Sequence, residues 1–161
     1  MNIFYLDADP RVAARMMCDK HVVKMILESA QLLSTAHHEL GTANENMYKP
    51  THKNHPSAVW ARASYENYVW LAEHALALCD EYNIRYGKVH KTEHMLVNDL
   101  FDPPDNIPRL GFTEPPKCMP DEFKVKDVVE SYRRYYVGAK ARFAKWKLGN
   151  EPVWFTMGAN A

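Results

Sequence analysis

The sequence is poor in cysteine, and it has neither a long hydrophobic run nor an excess of charge of one sign. Cys18, Cys79 and Cys118 are odd in number and far apart, a pattern that excludes a disulfide framework and a paired-cysteine metal site. Reduced thiols are typical of a cytoplasmic protein, and the cytoplasm is the location we expect. No stretch approaches the roughly 18 apolar residues of a membrane span. The start MNIFYLDADPR has no basic residue ahead of its short apolar run, so we do not expect a signal peptide.

The charge balance limits the kind of partner. Twenty basic and twenty acidic side chains cancel, which argues against a protein that coats DNA through its total charge, although local basic patches can still bind phosphate. Hydrophobic residues make up 47% and charged residues 25% of the chain, as in an ordinary globular protein. We therefore expect one compact domain that spans residues 1–161.

Helical periodicity dominates the chain, and almost no segment has the pattern of a strand. Asp9 followed by Pro10 predicts a capped helix start, and Ser64 is a point where the second helix could divide. Six prolines in residues 102–120 predict a long ordered loop, and an aromatic tail follows the last helix. The sequence thus predicts an all-α fold of three to four main helices. Their expected bounds are about 10–39, 57–86, 92–100 and 121–147.

A narrow polar stripe lies on the otherwise apolar helix CDKHVVKMILESAQLL, residues 18–33. His21, Lys24 and Glu28 recur at steps of three and four, which places them on one face. An amine and a carboxylate one turn apart, with an imidazole nearby, have the groups needed for proton transfer or nucleophilic attack. The alternative is the solvated face of an amphipathic helix, and the spacing alone leaves both interpretations open.

Two other segments mix basic and aromatic side chains, residues 48–62 and the last helix. Cations bind phosphates and rings stack on bases, so this mixture is typical of nucleic-acid contacts. His55 precedes Pro56 at a helix start, where a phosphate can bind. The alternatives are a polar loop whose Trp60 packs in the core, and a basic helix end favoured by the helix dipole. The candidate nucleic-acid-binding residues are Lys20, Lys49, Lys53, His55, Trp60, Arg62, Arg133, Arg134, Lys147 and Trp154.

The eight histidines do not form a recognisable metal motif. His90 and His94 can share a helix face, but no HExxH pattern or cysteine pair accompanies them. We expect neither a metal nor a cofactor.

Taken in order, these segments resemble the pyrimidine-dimer DNA glycosylases of the endonuclease V type. That family carries a His and a Glu seven residues apart on a long first helix, as His21 and Glu28 are here. An Asn-His-Pro loop then leads into a long helix, as at residues 54–56, and a Pro-x-Trp tail corresponds to residues 152–154. The resemblance lies in the order of the motifs over residues 1–86 and 120–155.

The resemblance implies an all-α enzyme that binds duplex DNA and flips a base out of the stack. An amine attacks the sugar C1′ and forms a Schiff base, a Glu stabilises the positive sugar and assists strand-breaking elimination, and a His orients substrate or phosphate. Glu28 and His21 would take the last two roles. The family's amine is exposed by removal of Met from a small second residue. Asn2 is too large for ready removal, which leaves the amine of Met1 or that of Lys24.

Two other functions fit the same residues. One is an enzyme on the same fold that processes nucleotides or modified bases, and the other is a non-catalytic nucleic-acid-binding module. In none of the three do we expect a membrane or an obligate protein partner.

Overall fold

Asp9 begins the first helix in the computed structural model, which describes residues 1–159. Its carboxylate accepts hydrogen bonds from the backbone N–H groups of Arg11 and Val12, and Pro10 takes the first helical position. Helix α1 covers Pro10–Met16, and α2 covers Asp19–Glu39. The single helix predicted over 10–39 is therefore wrong.

The break at residues 17–18 has a long-range cause. The buried guanidinium of Arg85 donates hydrogen bonds to the carbonyl oxygens of Arg15 and Met17, and it also binds the carboxylate of Asp19. Carbonyls at the end of α1 thus have a partner that a continuous helix would not offer. The extended residues Met17 and Cys18 then redirect the chain into α2.

The second predicted helix does divide at Ser64. Helix α3 covers Pro56–Ala63 and α4 covers Tyr65–Tyr86. The extended backbone of Ser64 ends α3, and its hydroxyl caps α4 by accepting from Asn67 N–H. Helix α4 ends at Gly87, whose φ of 65° is a left-handed conformation that glycine adopts readily.

The later elements are shorter than predicted. Helix α5, Glu93–Met95, continues as a π-helical turn over Leu96–Leu100. The helix predicted over 121–147 is wrong. The chain there forms a 3₁₀ turn at Asp121–Phe123, helix α6 at Val128–Tyr135 and a π-helical turn at Tyr136–Lys140, and helix α7, Val153–Ala159, lies in the predicted tail.

Residues beyond the π-helical turn are held by the junction between α1 and α2. The Lys145 carbonyl accepts from Asp19 N–H, and the indole of Trp146 donates to the Met16 carbonyl. These bonds replace the hydrogen bonds that a continuing helix would make, so residues 141–147 form turns around the start of α2 rather than helix.

The all-α class is confirmed, since the described residues contain helices and no strand. Helix α4 packs against α1 and α2, and α3 packs against α2. Residues 3–6 have no regular secondary structure and are buried in the same core. The proline-rich segment is a loop without regular helix until its end, as predicted. No described helix is long and apolar enough to cross a membrane.

Candidate active site

The polar stripe of α2 borders a cavity of about 200 Å³. The three predicted catalytic residues meet there with the first residues of the chain and with side chains from the C-terminal third. The cavity is lined by Met1, Asn2, Phe4, His21, Lys24, Met25, Glu28, Tyr135 and Lys140.

Glu28 presents an unpartnered carboxylate oxygen. Its Oε2 is buried and has no hydrogen-bond donor among the described residues. Lys24 Nζ lies 3.8 Å away, too far for a hydrogen bond, and the side chains are 63% and 16% exposed respectively. An ion pair of this kind contributes little in water. The carboxylate is therefore free to interact with a positive group that enters the cavity.

His21 is buried and fixed by aromatic neighbours. The Phe4 ring stacks on the imidazole at a centroid distance of 4.1 Å, and the Tyr136 hydroxyl lies 2.5 Å from Nδ1. Burial, followed by the positive charges of three lysines, lowers the pKa of His21 to about 3. The ring is therefore neutral at physiological pH.

The hydrogen bonds of Tyr136 indicate which tautomer His21 adopts. The phenolic oxygen accepts from Cys18 N–H at 3.3 Å, and it has one proton to give. His21 Nδ1 at 2.5 Å is a better acceptor than the Cys18 sulfur at 3.6 Å. With Nδ1 accepting that proton, the ring carries its own hydrogen on Nε2, the nitrogen that no described residue binds.

The first two residues are held by the rest of the chain. Ser57 donates to the Met1 carbonyl at 3.3 Å, and Asn2 Nδ2 donates to the Cys118 carbonyl at 2.7 Å. Asn2 Oδ1 accepts from the N–H groups of Ile3 and Phe4. Helix α3 and the proline-rich loop thus fix the backbone at the edge of the cavity.

A family model described as pyrimidine dimer DNA glycosylase matches residues 1–95, more than half of the chain. The chain belongs to this family. It is thus a member of a DNA-repair glycosylase family, with DNA as the molecule on which the family acts. No curated protein and no solved structure matches the chain.

The matched segment of this glycosylase family member contains His21, Lys24 and Glu28 but not the opposite wall of the cavity. That wall comes from the region of α6 and the π-helical turn, where Tyr135 and Lys140 line the cavity and Tyr136 binds His21. Sequence reasoning missed these residues as site components. The only signal was the mixture of basic and aromatic residues, which does not show that the segment reaches α2.

Four predicted nucleic-acid-binding residues lie in the loop before α3 or contact it: Lys49, Lys53, His55 and Arg62. Lys49 and Lys53 are exposed, and Arg62 donates to the Lys53 carbonyl. His55 caps α3 by accepting from Ser57 N–H. Burial, then the positive charges of the N-terminal amine and His52, lower the pKa of His55. The end of this loop at His55 therefore lies near Met1.

Trp60 occupies a different environment from an exposed stacking residue. Its ring is 6% exposed, it packs edge-on against Trp70 and Phe112, and its indole N–H donates to the Thr113 carbonyl. A base cannot stack on a ring enclosed in this way. The structure therefore agrees with the alternative interpretation, in which Trp60 packs in the core. Its bond to Thr113 also anchors the proline-rich loop there.

The C-terminal candidates are mostly engaged with protein groups. Arg133 donates to the Leu6 carbonyl and pairs with Asp7, and its guanidinium lies 5.4 Å from the ring centre of Trp154. Arg134 pairs with Glu130 at 3.1 Å. Exposed Lys147 lies over Tyr86, and Lys20 lies over Phe143. Lys20 lies on α2 itself, beside the stripe residues, whereas none of the C-terminal candidates lines the cavity.

Among the described residues, no group of three or more His, Cys, Asp or Glu side chains could hold a metal ion. The chemistry that the cavity can perform with its own groups is that of an amine, a carboxylate and a neutral imidazole.

Proposed function

We propose that the protein is a DNA N-glycosylase with abasic-site lyase activity, which acts on damaged or modified pyrimidines flipped out of duplex DNA. The observation that carries this proposal is the unpartnered Oε2 of Glu28 in a cavity that also contains amines. A buried acceptor without a donor is uncommon in a protein and frequently serves a functional role. Membership of the glycosylase family supports a cationic sugar as its partner.

Glu28 acts on the charge that develops at the sugar. As the bond from C1′ to the base weakens, positive charge builds up on C1′ and the ring oxygen. A fixed carboxylate in a partly enclosed site stabilises this charge without having to reorganise. Because Oε2 makes no hydrogen bond to the protein, no existing interaction is lost when the substrate enters.

Met1 supplies the attacking amine in a chain whose first residue is Met1. An α-amine is a weaker base than a lysine side chain, so a larger fraction is the neutral nucleophile at neutral pH. The hydrogen bond from Ser57 fixes the Met1 carbonyl, which limits the motion of the amine. Lys24 is the rival, but its side chain is 63% exposed and its Nζ pairs loosely with Glu28, 3.8 Å away.

The reaction then follows from these positions. The amine nitrogen bonds to C1′ as the bond to the base breaks, and the base leaves with the electron pair and takes a proton from water. Glu28 accepts a proton from the resulting ammonium and returns it to O4′ as the sugar ring opens, which gives an iminium at C1′. Glu28, again a carboxylate, then takes a proton from C2′, and the electron pair left behind expels the 3′ phosphate and breaks the strand.

His21 holds the substrate as a neutral hydrogen-bond donor. With Nδ1 occupied by the Tyr136 hydroxyl, Nε2–H can donate to a phosphate or to a carbonyl of the extruded base. A ring with a pKa of about 3 does not change its charge during the reaction. Lys49 and Lys53 are exposed in the loop before α3, where we place phosphates of the same duplex.

Borohydride trapping tests the proposal. Borohydride reduces an iminium to a stable amine, so wild-type protein should form a covalent adduct with duplexes that contain a pyrimidine dimer or an abasic site. Glu28→Gln should lower the rate of adduct formation by about a hundredfold or more. Glu39→Gln, an exposed change at the end of the same helix, should have no effect.

Peptide mapping of the reduced adduct identifies the amine. We expect the modified peptide to contain Met1, with retention of Met1 confirmed by the intact mass of the free protein. A Lys24→Gln variant should still be trapped. Modification of Lys24, or loss of trapping in the Lys24→Gln variant, would show that Lys24 and not Met1 supplies the attacking amine. Absence of any adduct and of base release from either duplex, with turnover of free nucleotides instead, would refute the glycosylase proposal.

A further inference from the structure

A cluster of unpaired cations surrounds the ring of Phe143, beside the cavity. Phe143, Lys140 and Arg142 lie outside the segment that matches the family, and Lys20 lies inside it. Lys20 Nζ lies 4.6 Å from the ring centre, and Lys140 Nζ and the Arg142 guanidinium each lie 5.8 Å from it. The total charge of the chain is zero, so this concentration of positive charge is a local feature.

No carboxylate neutralises these cations within the described part of the chain. No salt bridge or side-chain hydrogen bond within residues 1–159 involves Lys20, Lys140 or Arg142. The nearest acidic residue in sequence, Asp19, is bound by Arg85 at 3.0 Å. Contacts with an aromatic face orient a cation but leave its charge intact. The cluster is thus positioned and still available to an anion.

Lys140 is the best-positioned member. Its side chain is half-buried among aromatic rings, with Nζ 4.7 Å from the centre of Tyr135 and 5.9 Å from that of Phe4. It also lines the cavity that contains Glu28. Rings on several sides restrict its rotamers, so less entropy is lost when it binds a ligand than for a fully exposed lysine.

We infer that Lys20, from α2, and Lys140, from the π-helical turn after α6, together form a binding site for a phosphodiester group of the DNA strand whose nucleotide occupies the cavity. Both ammonium groups lie against the ring of Phe143. The choice of DNA rests on the proposed function, whereas the anion site itself rests on the charge and geometry of the cluster. Lys20, on α2, is exposed. The site is complete only when the turn after α6 brings Lys140 to it.

The test measures DNA affinity separately from chemistry. The probe is a duplex with a tetrahydrofuran abasic analogue, which cannot form an iminium, and binding is followed by fluorescence anisotropy at several salt concentrations. Lys140→Gln and Lys20→Gln should each weaken binding about three- to tenfold and reduce the salt slope by about 0.9. Lys140→Arg should restore most of the affinity. Lys88→Gln, an exposed lysine after α4, is the matched control for loss of one charge.

Two further measurements separate the alternatives. Inorganic phosphate and a free nucleoside monophosphate are titrated against wild-type protein and Lys140→Gln. If Lys140 affects their binding but not that of the duplex, the anion is a free nucleotide and the assignment to DNA is overturned. Equal affinities and salt slopes for Lys140→Gln and Lys88→Gln, with unchanged circular dichroism, would overturn the site altogether.

Failure of this inference is distinguishable from failure of the proposed function. In Lys140→Gln, the DNA concentration needed for half-maximal borohydride trapping should rise by the same factor as the dissociation constant of the tetrahydrofuran duplex, because the phosphate contact acts on binding. Conversely, Glu28→Gln should lose trapping yet retain the wild-type salt slope. If wild-type protein binds the duplex through Lys140 but is never trapped by borohydride, the phosphate site stands and the proposed lyase activity is refuted.

Discussion

The Tyr136 hydroxyl lies 2.5 Å from His21 Nδ1, although the two residues are separated by more than a hundred positions in the sequence. Tyr136 follows α6 and His21 lies near the start of α2. This bond joins the segment that matches the glycosylase family to the segment that does not. The C-terminal third therefore takes part in setting the state of a predicted catalytic residue, in addition to covering the core.

Tyr136→Phe should remove the hydrogen bond between residue 136 and His21 Nδ1. The change leaves His21 Nδ1 and Cys18 N–H without their partner in a buried region, so the free energy of unfolding should fall by about 1–3 kcal/mol. Without the phenolic donor, the histidine proton redistributes between Nδ1 and Nε2, and adduct formation should slow. Urea unfolding and ¹⁵N chemical shifts of the His21 ring measure the two effects.

Tyr68→Phe is the control for that variant. The Tyr68 hydroxyl is also buried, donates to the Leu100 carbonyl and contacts His37 Nε2, but it does not line the cavity. It should destabilise the fold to a similar extent and leave the His21 ring shifts and the trapping rate unchanged. Equal losses of trapping in both variants, measured well below their melting temperatures, would show that Tyr136 has no specific influence on His21.

The stability of the protein should depend on pH through His21 and His74. Burial lowers their pKa values from 6.5 to about 3 and about 4 respectively. Between those values and 6.5 the unfolded chain binds protons that the folded protein does not, so stability falls as the pH falls, and above 6.5 neither histidine contributes. We expect a loss of about 1.4 kcal/mol per pH unit for each histidine below pH 6.5.

Urea unfolding at intervals from about pH 7 to about pH 5 checks this slope. His74→Asn keeps a donor for the Pro10 carbonyl, to which Nδ1 is bonded, and should flatten the slope by the share of one histidine. Titration of the His21 ring protons with a midpoint near 6.5 in NMR spectra would contradict the prediction.

Arg85 should be among the most sensitive positions in the fold. Its side chain is fully buried and binds the carboxylates of Glu81 and Asp19. Arg85→Ala leaves these acids and the carbonyls at the end of α1 without their donor, so it should cost about 3–5 kcal/mol. Lys124→Ala, which breaks the exposed pair with Asp121, should change stability by less than about 1 kcal/mol. Similar urea midpoints for the two variants would contradict this view of Arg85.

Local features of the sequence were predictable because their causes are local. The cap at Asp9, the division at Ser64 and the shared face of His21, Lys24 and Glu28 each depend on residues within one or two helical turns. Helical spacing alone put the stripe residues on one side of α2, and the structure places all three on one cavity.

The features that were missed depend on distant contacts. The break at residues 17–18 is stabilised by Arg85, which lies on α4, and Lys140 reaches the cavity only through the packing of the C-terminal turns on α2. Trp60 shows a related limit, because an aromatic residue within a basic segment has the same local pattern whether it is buried or exposed. Tertiary contacts decided each of these cases.

Asn2→Asp should slow the chemistry with little effect on the fold. The aspartate retains an acceptor for the N–H groups of Ile3 and Phe4 but loses the donor to the Cys118 carbonyl, and its charge repels that oxygen. Residue 1 should then move relative to Glu28, and displacements of about 1 Å can lower a rate by up to about a hundredfold. We expect trapping to slow at least about tenfold, with unchanged affinity for the tetrahydrofuran duplex.

Asn106→Asp makes the same chemical change elsewhere, because Asn106 Nδ2 donates to the Leu40 carbonyl at an exposed position. It should leave the trapping rate unchanged. Because Asp is, like Asn, too large for ready removal of Met1, both variants should keep the wild-type N-terminus, which intact mass verifies. Equal trapping rates for the two variants would show that the contact between Asn2 and the proline-rich loop does not position the amine, and Lys24 would then become the stronger candidate for the nucleophile.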